Sequence, residues 1–112
     1  PDTAALQHWI DERREAYRTQ AAGAAWSLAE RYESQSADLT SAARWARRAA
    51  KLAGTDERRV RRVMELLVRA GDVAGAMAVF SEFARYLKAE LDIEPSQETL
   101  ELAQAIRERK AL

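Results

Sequence analysis

A self-similarity with an offset of 34 residues constrains the fold of this 112-residue chain more than any other feature. When Asp38 is aligned with Asp72, the small or apolar residues that follow them also align. The aligned pairs are Leu39 with Val73, Ala42 with Ala76, Ala46 with Phe80 and Ala49 with Phe83. These positions recur at steps of three and four residues, which is the spacing of one helix face. A repeat of this length predicts helical units that stack on one another.

The composition agrees with an all-α fold in one domain over residues 1–112. Apolar residues make up 47% of the chain, and alanine, a strong helix former, far outnumbers the β-branched valine and isoleucine. Charged residues make up 32% and are spread along the chain, which argues against a membrane span. We therefore expect a cytoplasmic protein without membrane contact. The start at Pro1 without a basic and apolar leader favours a segment of a longer protein.

Periodicity and helix-capping signals predict five helices. They cover about residues 3–33, 38–53, 56–70, 72–91 and 96–110. The predicted N-caps are Asp38, Thr55 or Asp56, Asp72 and Ser96. Gly54 and Gly71 are predicted to end the second and third helices, and Pro95 separates the last two. Gly23 lies inside the first helix and predicts a bend or the close approach of another helix.

The 34-residue period resembles that of the tetratricopeptide repeat, a helical hairpin in which a small residue lets the two helices approach closely. Ala42 and Ala76 stand where this small residue is expected. The usual tryptophan is replaced by Val60, and the proline at each repeat end is absent. We predict two degenerate tetratricopeptide-like antiparallel hairpins closed by a C-terminal capping helix. The alternative is an ordinary antiparallel helical bundle in which the 34-residue self-similarity arises by chance.

A narrower resemblance extends over essentially the whole chain. The residues that carry it are Trp9, Arg13, Ser27-Leu28-Ala29, Met64-Glu65-Leu66-Leu67, Ala70-Gly71-Asp72, Ala76, Phe80 and the run from Leu87 to Thr99. This pattern resembles the bacterial transcriptional activator domain of SARP-type regulators, in which the domain follows an OmpR-like winged-helix DNA-binding domain. Asp92 stands where that family usually has glycine. The resemblance implies a regulatory and interaction module whose partners are another copy, its own DNA-binding domain or the transcription machinery.

The end of that run also has a physical interpretation. Pro95 stops one helix, Ser96 can cap the next, and Glu98 places negative charge in its first turn. Together they predict a fixed corner that lets the last helix cover the second hairpin. We therefore assign these residues a structural role, with a binding role as the alternative.

Catalytic motifs are absent from the sequence. His8 is the only histidine and there is no cysteine, so neither a two-histidine metal site nor a thiol nucleophile can be assembled. The four glycines are isolated, and neither H-E-x-x-H nor G-x-S-x-G occurs. We predict no enzymatic activity, no catalytic residue, no metal, no cofactor and no small-molecule substrate.

Arginines concentrate in the middle of the chain and raise the question of nucleic-acid binding. They are Arg44, Arg47 and Arg48 on the second helix and Arg58, Arg59, Arg61 and Arg62 on the third. Phosphate contacts need such groups, but the formal net charge is zero and no helix-turn-helix is recognisable. We predict no direct nucleic-acid contact by this segment.

Protein recognition is the favoured function, because stacked helical hairpins present a groove lined by their first helices. The predicted groove residues are Trp26, Glu30, Glu33, Arg58, Arg61, Glu65 and Arg69. Two simpler interpretations stay open: Trp26 packs in the core, and the arginines form a solvated face. The alternative function is a stand-alone scaffold of the same fold that binds some other protein.

Overall fold

A computed structural model describes residues 2–111, and Pro1 and Leu112 of the predicted domain lie outside the described part. The described residues form five helices and no strand. These are α1 (Thr3–Ser34), α2 (Leu39–Leu52), α3 (Glu57–Arg69), α4 (Val73–Leu91) and α5 (Gln97–Ala111). Each predicted boundary lies within one residue of the observed one. The all-α prediction is confirmed.

Aspartate side chains cap the first four helices. The Asp38, Asp56 and Asp72 carboxylates each accept a hydrogen bond from the backbone N–H three residues later, and Asp2 does the same for the start of α1. The bond from Ser41 N–H holds the pKa of Asp38 below its ordinary value. Each such cap stabilises its helix by about 1 kcal/mol, which explains why the sequence located these starts closely.

The helices pack as two hairpins, with α1 against α2 and α3 against α4. Loops of a few residues join the members of each pair, so the paired helices run antiparallel. Ala42 and Ala76 are fully buried, as are Ala29 and Met64 on the facing helices. The two antiparallel hairpins predicted from the repeat are therefore found. Residues of α2 connect the hairpins by packing on α3.

Helix α5 packs on α3 and α4 and supplies Ala103 and Ile106 to the core. It follows a turn in which Asp92 ends α4 in the left-handed conformation, with φ 53° and ψ 42°. Asp92 N–H donates to the Leu87 and Lys88 carbonyls, and Ile93 N–H also donates to the Leu87 carbonyl at 3.4 Å. The predicted capping helix is confirmed as a cover over the second hairpin.

Helix α1 extends well beyond α2 at its N-terminal end. Leu6, Trp9 and Tyr17 on that end are exposed. The helix continues unbroken through Gly23, where an added Cβ would have the Arg59 guanidinium as its nearest neighbour, at 4.0 Å. The expected close approach of another helix is wrong, since only a flexible side chain comes near this glycine.

Candidate interaction surface

One face of α3 is open to solvent. Arg58, Arg62, Glu65 and Arg69 are exposed and recur at steps of three and four residues along the helix. An ideal helix places all four within about 60° of arc, so their side chains share one face. We call these four residues the α3 surface.

Depressions lie on both sides of the α3 surface. The one towards α1 has a volume of about 320 Å³ and is lined by Trp26, Glu30, Arg62, Glu65 and Arg69. The one towards α5 has a volume of about 180 Å³ and is lined by Glu65, Val68, Arg69, Leu102, Ala105, Ile106 and Arg109. Because both share Glu65 and Arg69, they form one surface across the first helices of the hairpins and α5.

Trp26 lies almost entirely in the core. It is 7% exposed and packs in the main hydrophobic cluster, so the simpler interpretation left open by the sequence applies to this residue. The Arg59 guanidinium lies 6.0 Å from the centre of its ring. The same guanidinium lies beside Gly23, one turn earlier on α1, at 4.0 Å from the position that a Cβ would take. Trp26 therefore lines the depression while most of its area supports the fold.

Glu33 and Arg69 join the ends of α1 and α3. Arg69 Nε donates to Glu33 Oε2 at 2.7 Å, and Arg69 Nη2 donates to Glu33 Oε1 at 3.0 Å. These two bonds lower the pKa of the Glu33 carboxyl from its ordinary value. The paired geometry is that of a planar guanidinium on a carboxylate. These two predicted groove residues therefore meet across the hairpins, while Glu30 remains exposed beside them.

Arg61 was predicted to line the groove, but its side chain does not belong to the α3 surface, and that prediction is corrected. Its side chain is 18% exposed and turns towards α5, where Nη1 donates to the Thr99 hydroxyl at 3.0 Å. It also pairs with Glu57 at 3.7 Å and with Glu98 at 3.5 Å. The reason is helical phase, since Arg61 lies about 60° around α3 from Arg58, on the side that α5 covers.

The same contacts explain the corner before α5. Ser96 N–H donates to Glu57 at 2.8 Å, and Ser96 Oγ accepts from Thr99 N–H at 3.4 Å. Thr99 is fully buried and Pro95 is buried. The predicted structural role of this corner is found, with Arg61 and Glu57 as the partners that the sequence did not identify.

Arg62 is the residue of the α3 surface that the sequence prediction omitted. It lies four residues after Arg58, so the same periodicity that selected Arg58 and Glu65 also includes it. Leu102 and Arg109 were omitted too, because their contact with α3 depends on the angle at which α5 docks. No sequence signal specifies that angle.

Other chemistry is limited in the described part of the chain. His8 lies on the exposed end of α1, with its Nε2 atom 2.8 Å from Glu12. Within residues 2–111, no group of three or more His, Cys, Asp or Glu side chains could hold a metal ion. None of the helices found there combines the length and the apolar character that crossing a membrane requires.

These observations define an all-α domain of paired helices with a charged surface on α3. The family model described as the bacterial transcriptional activator domain matches residues 2–107. The chain therefore belongs to the bacterial transcriptional activator domain family, a family of regulatory domains of transcriptional activators and not a known enzyme family. Comparison with curated proteins gave no match, and comparison with solved structures gave none either.

Proposed function

We propose that this domain is the non-catalytic interaction module of a SARP-type bacterial transcriptional activator and that the α3 surface contacts the transcription machinery. In this proposal the winged-helix DNA-binding domain lies outside the chain, and the whole regulator works in the cytoplasm. Family membership supports the regulatory part of the proposal. The contact surface rests on the arrangement of charges on α3.

The observation that carries the proposal is a set of exposed charges without partners on the α3 surface. Arg58, Arg62 and Glu65 make no ion pair within 4 Å in the described part of the chain, and the same holds for Glu30 across the depression. Arginines beside a shallow depression are typical of protein interfaces. Charges of both signs favour a partner with a complementary pattern over a uniform polyanion.

Contact with DNA is assigned to the separate DNA-binding domain. The chain has a formal net charge of zero, and Glu65 on the α3 surface and Glu30 on α1 lie beside the cations of that surface. We expect the isolated domain to bind duplex DNA at physiological salt no more tightly than about 10⁻⁴ M, the weak end of the non-specific range. Tight, salt-sensitive retardation of a DNA fragment would contradict this assignment.

The test is an Arg58→Glu/Arg62→Glu variant of the full-length regulator. Helicity and melting temperature should change little, because both arginines are exposed and make no ion pair in the described residues. Transcriptional activation from the target promoter should fall, while promoter binding in a mobility-shift assay persists. The matched control is Arg14→Glu/Arg85→Glu, which changes the charge equally at exposed positions outside both depressions.

Other results would overturn the proposal in different ways. Unchanged activation would remove the α3 surface as a functional contact. Loss of promoter binding together with activation would instead indicate contact with the DNA-binding domain or with a second copy. A parent reading frame without a winged-helix domain would favour the stand-alone scaffold.

A further inference from the structure

Helix α2 carries four cations on one exposed face. Arg44, Arg47, Arg48 and Lys51 are all exposed, and their spacing places them along one side of the helix over about 10 Å. The helix contains no acidic residue. We call these four residues the α2 basic stripe. It shares no residue with the α3 surface or its depressions.

Charges within the domain compensate this stripe only in part. Arg47 Nη1 lies 3.0 Å from Asp72 Oδ2, so Arg47 is held towards the start of α4. Arg44 makes a long hydrogen bond to the Ser41 hydroxyl at 3.5 Å. Arg48 and Lys51 form no ion pair in the part of the chain that the structure describes. The stripe therefore keeps a net positive charge.

An aromatic ring accompanies the cations. Trp45 is partly buried, and together with the four cations it lines a shallow groove of about 490 Å³ on the outer side of α2. The ring and the alkyl parts of the long side chains make the groove walls largely apolar. A ligand that fits this groove must combine negative charge with an apolar group.

We propose that the α2 basic stripe binds an acidic helical segment of a partner protein, with carboxylates spaced one helical turn apart and one apolar side chain against Trp45. Charge complementarity accounts for the carboxylates, and the Trp45 ring accounts for the apolar side chain. Duplex DNA satisfies only the first requirement, because its backbone phosphates offer the Trp45 ring no apolar partner. The observations therefore favour an acidic protein segment over nucleic acid.

The test measures binding of a fluorescent synthetic helical peptide by anisotropy at low and at physiological salt. The peptide carries glutamates at positions i, i+3, i+4 and i+7 with a leucine beside them. The Arg48→Glu/Lys51→Glu variant of the domain should weaken binding by about tenfold or more, since reversal removes two attractions and adds two repulsions. Replacing the peptide leucine by serine should also weaken binding to the wild-type domain.

The Arg14→Glu/Arg85→Glu variant provides the matched control, because it has the same net charge and should keep wild-type affinity for the peptide. Circular dichroism and melting of both variants should match wild type. Equal weakening in the control, or no effect of the leucine replacement, would show attraction by net charge alone and overturn the proposal. A short DNA duplex that binds more tightly than the peptide would overturn the assigned partner class. No binding of the peptide at low salt would refute the site, and none of these outcomes depends on the α3 surface.

Discussion

Arg61 and Arg58 lie three residues apart on α3, yet charge reversal should destabilise the fold at Arg61 and leave its stability nearly unchanged at Arg58. Arg61→Glu is expected to reduce the free energy of unfolding by about 2 kcal/mol. The Arg61 side chain is 18% exposed and donates to the buried Thr99 hydroxyl. A hydrogen bond from a charged donor contributes about 1.5–3 kcal/mol. The ion pairs with Glu57 and Glu98 are longer and add at most about 1 kcal/mol each, which solvent screening reduces.

The replacement glutamate would also face Glu57 and Glu98, so the new contacts are repulsive. Partial relaxation of the exposed Glu98 side chain limits this cost. We therefore keep the lower part of the range, which corresponds to a fall in melting temperature of about 10 °C for a domain of this size.

The assay is urea and thermal unfolding followed by far-ultraviolet circular dichroism. Arg58→Glu serves as the control, because Arg58 is exposed and should shift the free energy of unfolding by less than about 0.5 kcal/mol. Arg61→Lys should fall between wild type and Arg61→Glu, since lysine keeps the charge but loses the planar guanidinium. If Arg61→Glu and Arg58→Glu unfold together, the contact of Arg61 with α5 does not stabilise the fold, and helical phase does not separate the roles of the two arginines.

Four further substitutions test the backbone and the packing by the same unfolding measurements. Ala76→Leu should cost about 1–3 kcal/mol by overpacking the α3–α4 contact, and an unchanged melting temperature would refute that close contact. Asp92→Gly should stabilise the domain by about 0.5–1 kcal/mol, because glycine adopts the left-handed conformation without strain and the exposed pair with Lys88 contributes little; a loss of stability would contradict this. Gly23→Ala should stabilise α1 by about 0.5–1 kcal/mol, since its Cβ would have space beside Arg59, whereas Gly71→Ala should destabilise at its positive φ.

The sequence predicted the helices well because their ends are encoded locally. Asp38, Asp56 and Asp72 each satisfy backbone N–H groups of their own helix, so the signal lies within four residues. The repeat then predicted which alanines are buried between paired helices. Ala42 and Ala76 are both fully buried.

The environments of individual side chains on α3 were predicted less well, because they depend on where a distant helix docks. Helical phase places Arg61 and Arg58 on different sides of α3, but the sequence does not show which side a later helix covers, and that is settled by Thr99 on α5, 38 residues later. Trp26 presented a related difficulty. An aromatic residue on the first helix of a hairpin can line a groove or fill the core. Trp26 packs in the main hydrophobic cluster, so it belongs mostly to the core.

Helix α3 carries the structural and the proposed functional roles on separate sides. Its buried side packs in the core with Val60, Val63, Met64, Leu66 and Leu67. Glu57 and Arg61 hydrogen-bond Ser96 and Thr99 at the corner before α5. The α3 surface remains exposed between the two depressions. Because the three groups occupy different arcs of one helix, a substitution in one group need not disturb the others. Variants at Arg58, Arg62 and Glu65, which make no ion pair in the described residues, can therefore test partner binding with little change in stability, whereas variants of the corner report on the docking of α5.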